Sequence, residues 1–174
     1  MSYLPHISDS ERSYTMSPLQ YIRGDLFSAV SSSKTTILAH ACNPFGLWGG
    51  GIANQFRLRY PEAYKSYKSH CKENHDLLGS CALIESGSGG PVVACLFTSD
   101  FNNTPAEILS YTKTALDDLK RQLGSMKNVE KTDSGHPIVN MPQINSGIFN
   151  VPWEGTEALL EECQDLSFKV YVLD

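Results

Sequence analysis

The residue types best suited to chemistry are concentrated between His40 and Ala53, where His40, Asn43 and the consecutive glycines Gly49, Gly50 and Gly51 follow one another. The segment just before them, Thr35 to Ala41, is short, apolar and β-branched, the pattern of a buried strand. Just after them, Ile52, Gln55, Phe56 and Arg59 fall at helical spacing. The glycines therefore occupy a strand-to-helix corner. Glycine there permits positive φ and close approach of a ligand, and the unpaired N–H groups of a first helical turn attract anions. A purely structural turn uses the same residues. Asn43 and His40 distinguish the two readings, because side chains that hydrogen-bond or move protons stand at the strand's end, where ligands of open α/β sheets bind. An imidazole with its ordinary pKa of about 6.5 suits proton transfer. Strand alternation, however, puts His40 on the face of Cys42 and opposite Asn43, so a packed core histidine is the competing expectation.

The elements that must position these residues are legible along the chain. A first strand fits Leu19 to Arg23, followed by Gly24 and Asp25. Pro61 breaks the helical segment after the glycines, and Ala63, Tyr64, Tyr67 and Cys71 continue a helical stripe assigned to packing. Ser80 to Glu85 and Val92 to Thr98 read as strands joined by a glycine-serine turn. Thr104, Pro105 and Glu107 spell a capping box with proline at the first helical position, and Ile108, Ala115, Leu116, Leu119 and Leu123 form the buried stripe. After a polar loop from Gly124 to Gly135, Ile138 to Met141 forms a short strand. It delivers a second loop of interest, Asn145, Ser146, Gly147, Ile148, Phe149 and Asn150. Ala158, Leu159 and Cys163 mark a last helix, and Phe168, Val170 and Val172 alternate in a final strand. Strands separated by helices predict a three-layer α/β/α sandwich with a mixed, partly parallel central sheet. Residues 1–18 lack periodicity and read as a flexible extension, leaving 19–174 as one domain.

The composition limits the partners. The chain has 174 residues, 41% hydrophobic and 19% charged, with a net charge of −5. That charge argues against nucleic acid as a partner, since phosphate backbones are held chiefly by accumulated Lys and Arg. A small phosphorylated ligand is compatible, because backbone N–H groups hold one with few cations. Cys42, Cys71, Cys81, Cys95 and Cys163 are odd in number and spread out, as expected of thiols in a reducing compartment. No Cys-x-x-Cys pair or histidine cluster predicts a metal site. No apolar run predicts a signal or membrane span, so no membrane partner is expected, and cytosol or nucleus is the expected location.

Four separated segments, in order, resemble the macrodomains, a family that binds ADP-ribose. They are Ile22 to Leu26, His40 to Asn43, Gly49 to Ala53, and Asn145 to Phe149. The resemblance implies that Asp25 holds the adenine, that Asn43 meets the distal ribose, and that two phosphate loops clamp the diphosphate. Gly49, Gly50, Gly51 and Ile52 form the first loop; Asn145, Ser146, Gly147, Ile148, Phe149 and Asn150 form the second. The strings Trp48 to Ala53, Leu96 to Ser99 and Met141 to Phe149, with Val151 to Trp153, are similar to the branch that hydrolyses ADP-ribose 1″-phosphate, a by-product of tRNA splicing. In that branch His40 and Asn43 are the implied catalytic pair. The ligands implied are ADP-ribose derivatives, with ADP-ribosylated protein as a further partner, acting on a monomer without cofactor or metal. Relatives that release ADP-ribose from glutamate use a Lys after the Leu96-Phe97-Thr98 strand and an Asp in the second loop. Ser99 and Phe149 stand at those places, and neither can form a covalent sugar adduct. A non-catalytic ADP-ribose reader and an ADP-ribosyl ester hydrolase are the alternatives.

Overall fold

The computed structural model describes residues 17–31 and 33–173. Most of the expected N-terminal extension lies outside these residues. Its last two residues join the fold: the Pro18 carbonyl accepts the Phe168 N–H at 2.7 Å and Ser17 Oγ donates to Glu161 Oε1 at 2.7 Å.

Among the described residues, six strands form one sheet. In chain order they are β1 (Leu19–Arg23), β2 (Ile37–Cys42), β3 (Cys81–Glu85), β4 (Val92–Phe97), β5 (Ile138–Met141) and β6 (Ser167–Val172). Across the sheet the order is β1-β6-β5-β2-β4-β3, with every pair parallel except β3–β4. Four α-helices connect them: α1 (Gly51–Arg59), α2 (Pro61–Glu73), α3 (Pro105–Gly124) and α4 (Trp153–Glu162). A 3-10 turn spans Leu26–Ala29. None of the described helices is long and apolar enough to cross a membrane.

Period-two alternation on the central strands divides the interior into two cores, as a sheet covered on both faces requires. From β2, Ile37 and Ala39 join Ala94 and Leu96 of β4 under Leu116, Leu119 and Leu160 of α3 and α4. Leu38 and Cys42, with Val93, Cys95 and Phe97, face the other way into a cluster with Trp48, Phe56, Ala63 and Tyr67. That second core holds the rings of Trp48, Phe56, Tyr67 and Phe97. Full burial of a ring such as Phe56 is worth roughly 2–3 kcal/mol, so this layer fixes α1 and α2 against the sheet firmly. Because β1, β6, β5, β2 and β4 run parallel, their carboxyl ends share one edge, and the loops after β2, β4 and β5 emerge side by side there.

Candidate functional site

Helix α1 begins without a cap. Its N-cap is Gly50, in extended conformation (φ −148°, ψ 166°), and no side chain caps the first turn. Gly51 at the first helical position has φ +59°, a left-handed geometry that costs other L-residues on the order of 1 kcal/mol. The N–H groups of the first turn have no intrahelical acceptor, so they are free to meet an anion. What holds this uncapped end is the residue before the glycines. Trp48 is fully buried, stacked on Tyr67 (4.7 Å, 16°) and packed against His40 and Phe56.

Asn43 ties the same loop together. Its Oδ1 accepts from Phe45 N at 2.9 Å and from Leu47 N at 3.4 Å, while its Nδ2 donates to Leu47 O at 2.7 Å. Tyr67 Oη donates to the Asn43 carbonyl at 2.6 Å. One amide hydrogen of Asn43 remains for a ligand.

The second bend, after β5, is fixed by a polar anchor. Asn145 sits at φ +69°, a conformation asparagine tolerates, and its buried amide fans out to three threonines. Oδ1 accepts from Thr98 at 2.8 Å; Nδ2 donates to Thr112 at 2.9 Å and Thr156 at 3.3 Å. The turn closes through Asn150 N donating to Gly147 O and Val151 N donating to Asn145 O.

The two bends converge. Ala41 to Asn43, Leu47 to Ala53, Phe101, Pro142 to Asn145 and Gly147 to Phe149 line one crevice of about 400 Å³. A Cβ on Gly50 would stand 3.1 Å from Ile148 Cδ1, so the first and second glycine loops face each other at contact distance. Phe101 meets Phe149 edge-on at 5.7 Å and stacks on Phe45 at 6.1 Å, making an aromatic wall at one side. A recess of about 460 Å³ lies at the opposite, amino-terminal end of β2 and β4, between Lys34 and the Gly87–Gly90 turn. Among the described residues no helix start lines it, which makes it the weaker candidate for an anion.

Several sequence expectations change here. His40 is completely buried on the aromatic-core face of β2, stacked on Phe56 at 4.1 Å, and is absent from the crevice lining. Of the expected catalytic pair, the structure places His40 in the core and Asn43 in the lining. Alternation sends the His40 ring beneath the glycine corner, onto the face it shares with Cys42. Asp25 lies outside the lining, and one carboxylate oxygen caps the 3-10 turn by accepting from Phe27 N at 3.0 Å. Asn145 reaches the crevice with its backbone while its side chain points into the threonine cluster. Ser146 and Asn150 shape the turn and do not line the crevice. Gly49, Gly50, Gly51, Ile52, Gly147, Ile148, Phe149 and Asn43 do line it.

Sequence reasoning missed Phe101, Gln143 and the anchoring role of Trp48. Phe101 is 51% exposed at φ +76°, held by Ser99 Oγ accepting its N–H at 3.0 Å. The run Ser99, Asp100, Asn102, Asn103 is rich in residues whose side chains bond local backbone, and that was the available signal.

Among the described residues, Cys42 is the one titratable residue of the crevice lining, and its side chain belongs to the core cluster beneath. Burial alone pushes its thiol up. The Cys95 thiol, the charge and hydrogen bonding of His40, and the Trp48 indole outweigh this and hold it down to about 5. Burial and the neighbouring Cys42 drive Cys95 well above the ordinary thiol range.

The Macro domain family model matches residues 39–160. An ADP-ribose 1″-phosphate phosphatase of Candida albicans is 51% identical over 156 residues, which cover 89% of this chain and 99% of that protein. Another, from Lodderomyces elongisporus, is 48% identical over 160 residues, or 90% of this chain and 99% of that one. The macrodomain of Mycobacterium tuberculosis DarG superposes with a TM-score of 0.68 at 25% identity, covering 88% of this chain and 96% of that chain.

Proposed function

The chain belongs to the Macro domain family, and from that premise we propose that its crevice hydrolyses ADP-ribose 1″-phosphate to ADP-ribose and inorganic phosphate. The observation that carries the reading is the convergence of the Gly49–Gly51 corner and the Gly147 bend on one cleft, beside an uncapped helix start. Main-chain N–H groups from both loops clamp a diphosphate without cationic side chains. The names of the Candida and Lodderomyces relatives, at near full length, support the same substrate.

The scissile phosphate hangs on an anomeric carbon. Carbon–oxygen cleavage through an oxocarbenium-like state needs a stabilised leaving phosphate and an oriented water more than it needs a strong base. Donors at the α1 start meet the charge on the departing phosphate, and the remaining amide hydrogen of Asn43 aligns the distal ribose. Phe149 walls the sugar. Asp25 retains one carboxylate oxygen for the adenine amine. Such a substrate fits a by-product of tRNA splicing, handled by a monomer in cytosol or nucleus.

The test is phosphate release from ADP-ribose 1″-phosphate by the purified chain, run in ¹⁸O-water. Turnover without label in the phosphate is expected; labelled phosphate would exclude carbon–oxygen cleavage. Asp25→Ala should weaken ADP-ribose binding about tenfold, the loss of roughly one hydrogen bond to a charged group.

A second reading has its own support. With His40 buried in the core, no His, Asp, Glu or Lys among the described residues lines the crevice, which suits an ADP-ribose reader without catalysis. Calorimetric binding of ADP-ribose with no turnover of ADP-ribose 1″-phosphate, O-acetyl-ADP-ribose or ADP-ribosylated protein would select it.

A further inference from the structure

Three loops leave the carboxyl edge of the sheet beside the crevice, and each delivers one phenylalanine. Strands β2 and β4 pair in register up to Cys42 opposite Phe97, and the Thr98 N–H donating to the Cys42 carbonyl at 3.2 Å carries the pairing one residue further. The loops that follow therefore leave side by side, and Phe45 stacks on Phe101 at 6.1 Å and 16°. Phe149, from the loop after β5, meets Phe101 edge-on at 5.7 Å. Phe101 and Phe149 line the crevice; Phe45 does not, and backs Phe101 from outside.

Phe101 is held in this place at a cost. Its φ of +76° is a left-handed conformation that a bulky side chain rarely adopts, and its ring is half exposed. Side chains fix each turn of the loop around it. Buried Ser99 accepts the Phe101 N–H through Oγ at 3.0 Å, Asn103 Oδ1 accepts the Asp100 N–H at 2.9 Å, and Asp100 Oδ1 accepts the Asn102 N–H at 2.9 Å. None of this serves the interior, because Phe101 belongs to neither core cluster. Backbone strain kept at the mouth of a cleft points to a role in what the cleft accepts.

Phenylalanine rings offer no hydrogen bond and no charge, so what they supply is shape. Both centroid separations lie in the contact range of aromatic pairs, which leaves no passage for a side chain between the rings. The wall stands at the Asn43 end of the crevice, since Asn43 Oδ1 accepts the Phe45 N–H at 2.9 Å. On the function proposed above, that end holds the distal ribose, and a group on its anomeric carbon faces the rings. A phosphate is compact enough to stay inside. A polypeptide on the same carbon has to leave across the wall.

We propose that Phe101 sets the size of the group this crevice accepts on the anomeric carbon: backed by Phe45 and flanked by Phe149, it admits ADP-ribose bearing a small substituent and excludes ADP-ribose attached to a polypeptide. A barrier against the wrong ligand discriminates without any added contact to the right one. The size limit rests on the function proposed above, but it concerns binding and holds for an enzyme and a reader alike.

The experiment measures, by calorimetry on the intact chain, the affinities for free ADP-ribose and for a short synthetic peptide carrying one ADP-ribose on a serine hydroxyl. The peptide conjugate is expected to bind the natural chain at least about thirtyfold more weakly than ADP-ribose. Phe101→Gly keeps the positive φ and removes the ring, and should narrow that ratio at least about tenfold. Phe45→Ala removes only the backing and should narrow it by about threefold. Because each ratio is internal to one variant, a general loss of stability or affinity does not move it. Equal affinity of the natural chain for both ligands overturns the proposal, as does a ratio that Phe101→Gly leaves unchanged. Preference for the conjugate also overturns it, by making the rings a docking surface for the carrier. Should Phe101→Gly lose ADP-ribose altogether, the ratio is read from Phe45→Ala, where an unchanged value overturns the size limit. No heat with ADP-ribose in the natural chain sinks the proposed function and the size limit together, whereas equal affinities sink the size limit alone.

Discussion

Helices α3 and α1 begin in opposite ways. At the start of α3, Thr104 Oγ1 accepts from Glu107 N at 3.1 Å and Glu107 Oε1 accepts from Thr104 N at 2.8 Å, a complete capping box. The helix satisfies its own orphan donors and asks nothing of solvent or ligand. At the start of α1 the N-cap is glycine, no side chain reaches the first turn, and the open end faces a crevice. Leaving donors unmet has a local cost, and α1 is short besides. The structure offsets this by anchoring the preceding residue, Trp48, in the aromatic core. One start is finished chemically and the other is held mechanically, which leaves its chemistry available to a ligand.

The largest effect should come from removing that anchor. Trp48→Ala is expected to cost about 3–5 kcal/mol, measured by urea denaturation, because a fully buried indole leaves a cavity between Tyr67, Phe56 and His40. A loss below about 1 kcal/mol would mean that α1 is held by something else. Next is the polar anchor of the facing bend. Asn145→Gly keeps the positive φ while removing the acceptor of Thr98 and the donor to Thr112 and Thr156, and should cost about 2–3 kcal/mol and weaken ADP-ribose binding. Asn145→Ala adds backbone strain and should be worse, a ranking that thermal denaturation can check.

Gly50→Asp turns α1 into a copy of α3. The backbone at Gly50 is extended, so aspartate fits, with the flexible end of Ile148 yielding a few tenths of an ångström. It should stabilise the fold by about 0.5–1 kcal/mol and reduce ADP-ribose affinity at least about tenfold, since a carboxylate then holds the donors. Gain in stability with unchanged affinity would show that the diphosphate does not use this helix end. The smallest effect is the reciprocal change. Thr104→Ala should cost about 1 kcal/mol and leave ADP-ribose binding as it was.

How much of this was legible beforehand varied with the range of the interaction. The capping box of α3 is written in Thr104, Pro105 and Glu107, all neighbours in sequence, and the structure reproduces it bond for bond. Strands β1 and β5 likewise span the residues that pattern and turn chemistry assigned to them. Where the competing readings depended on which way a side chain faces, the residues alone left the matter open. His40 satisfied the chemistry of an acid or base and the alternation of a core residue equally well. Asp25 and Asn43 each had a capping or turn role available, and both fill it in the folded chain. Phe101 gave no periodic signal at all, because its exposure and positive φ arise from an irregular turn held by Ser99.

By itself, then, the sequence determined the parallel-rich α/β architecture, the two glycine-bearing bends and the family, because period-two and helical patterns, caps and glycines act over a few residues. Only the tertiary structure decided that Gly50 faces Ile148, that His40 lies under the cleft instead of in it, and that Cys42, Cys95 and Trp48 meet. Those outcomes follow from pairing β2 with β4 and from packing α1 and α2 on one face of the sheet, which join residues distant in the chain. Local propensity carries no term for such contacts, and long-range packing chooses among side-chain roles that the residues permit equally.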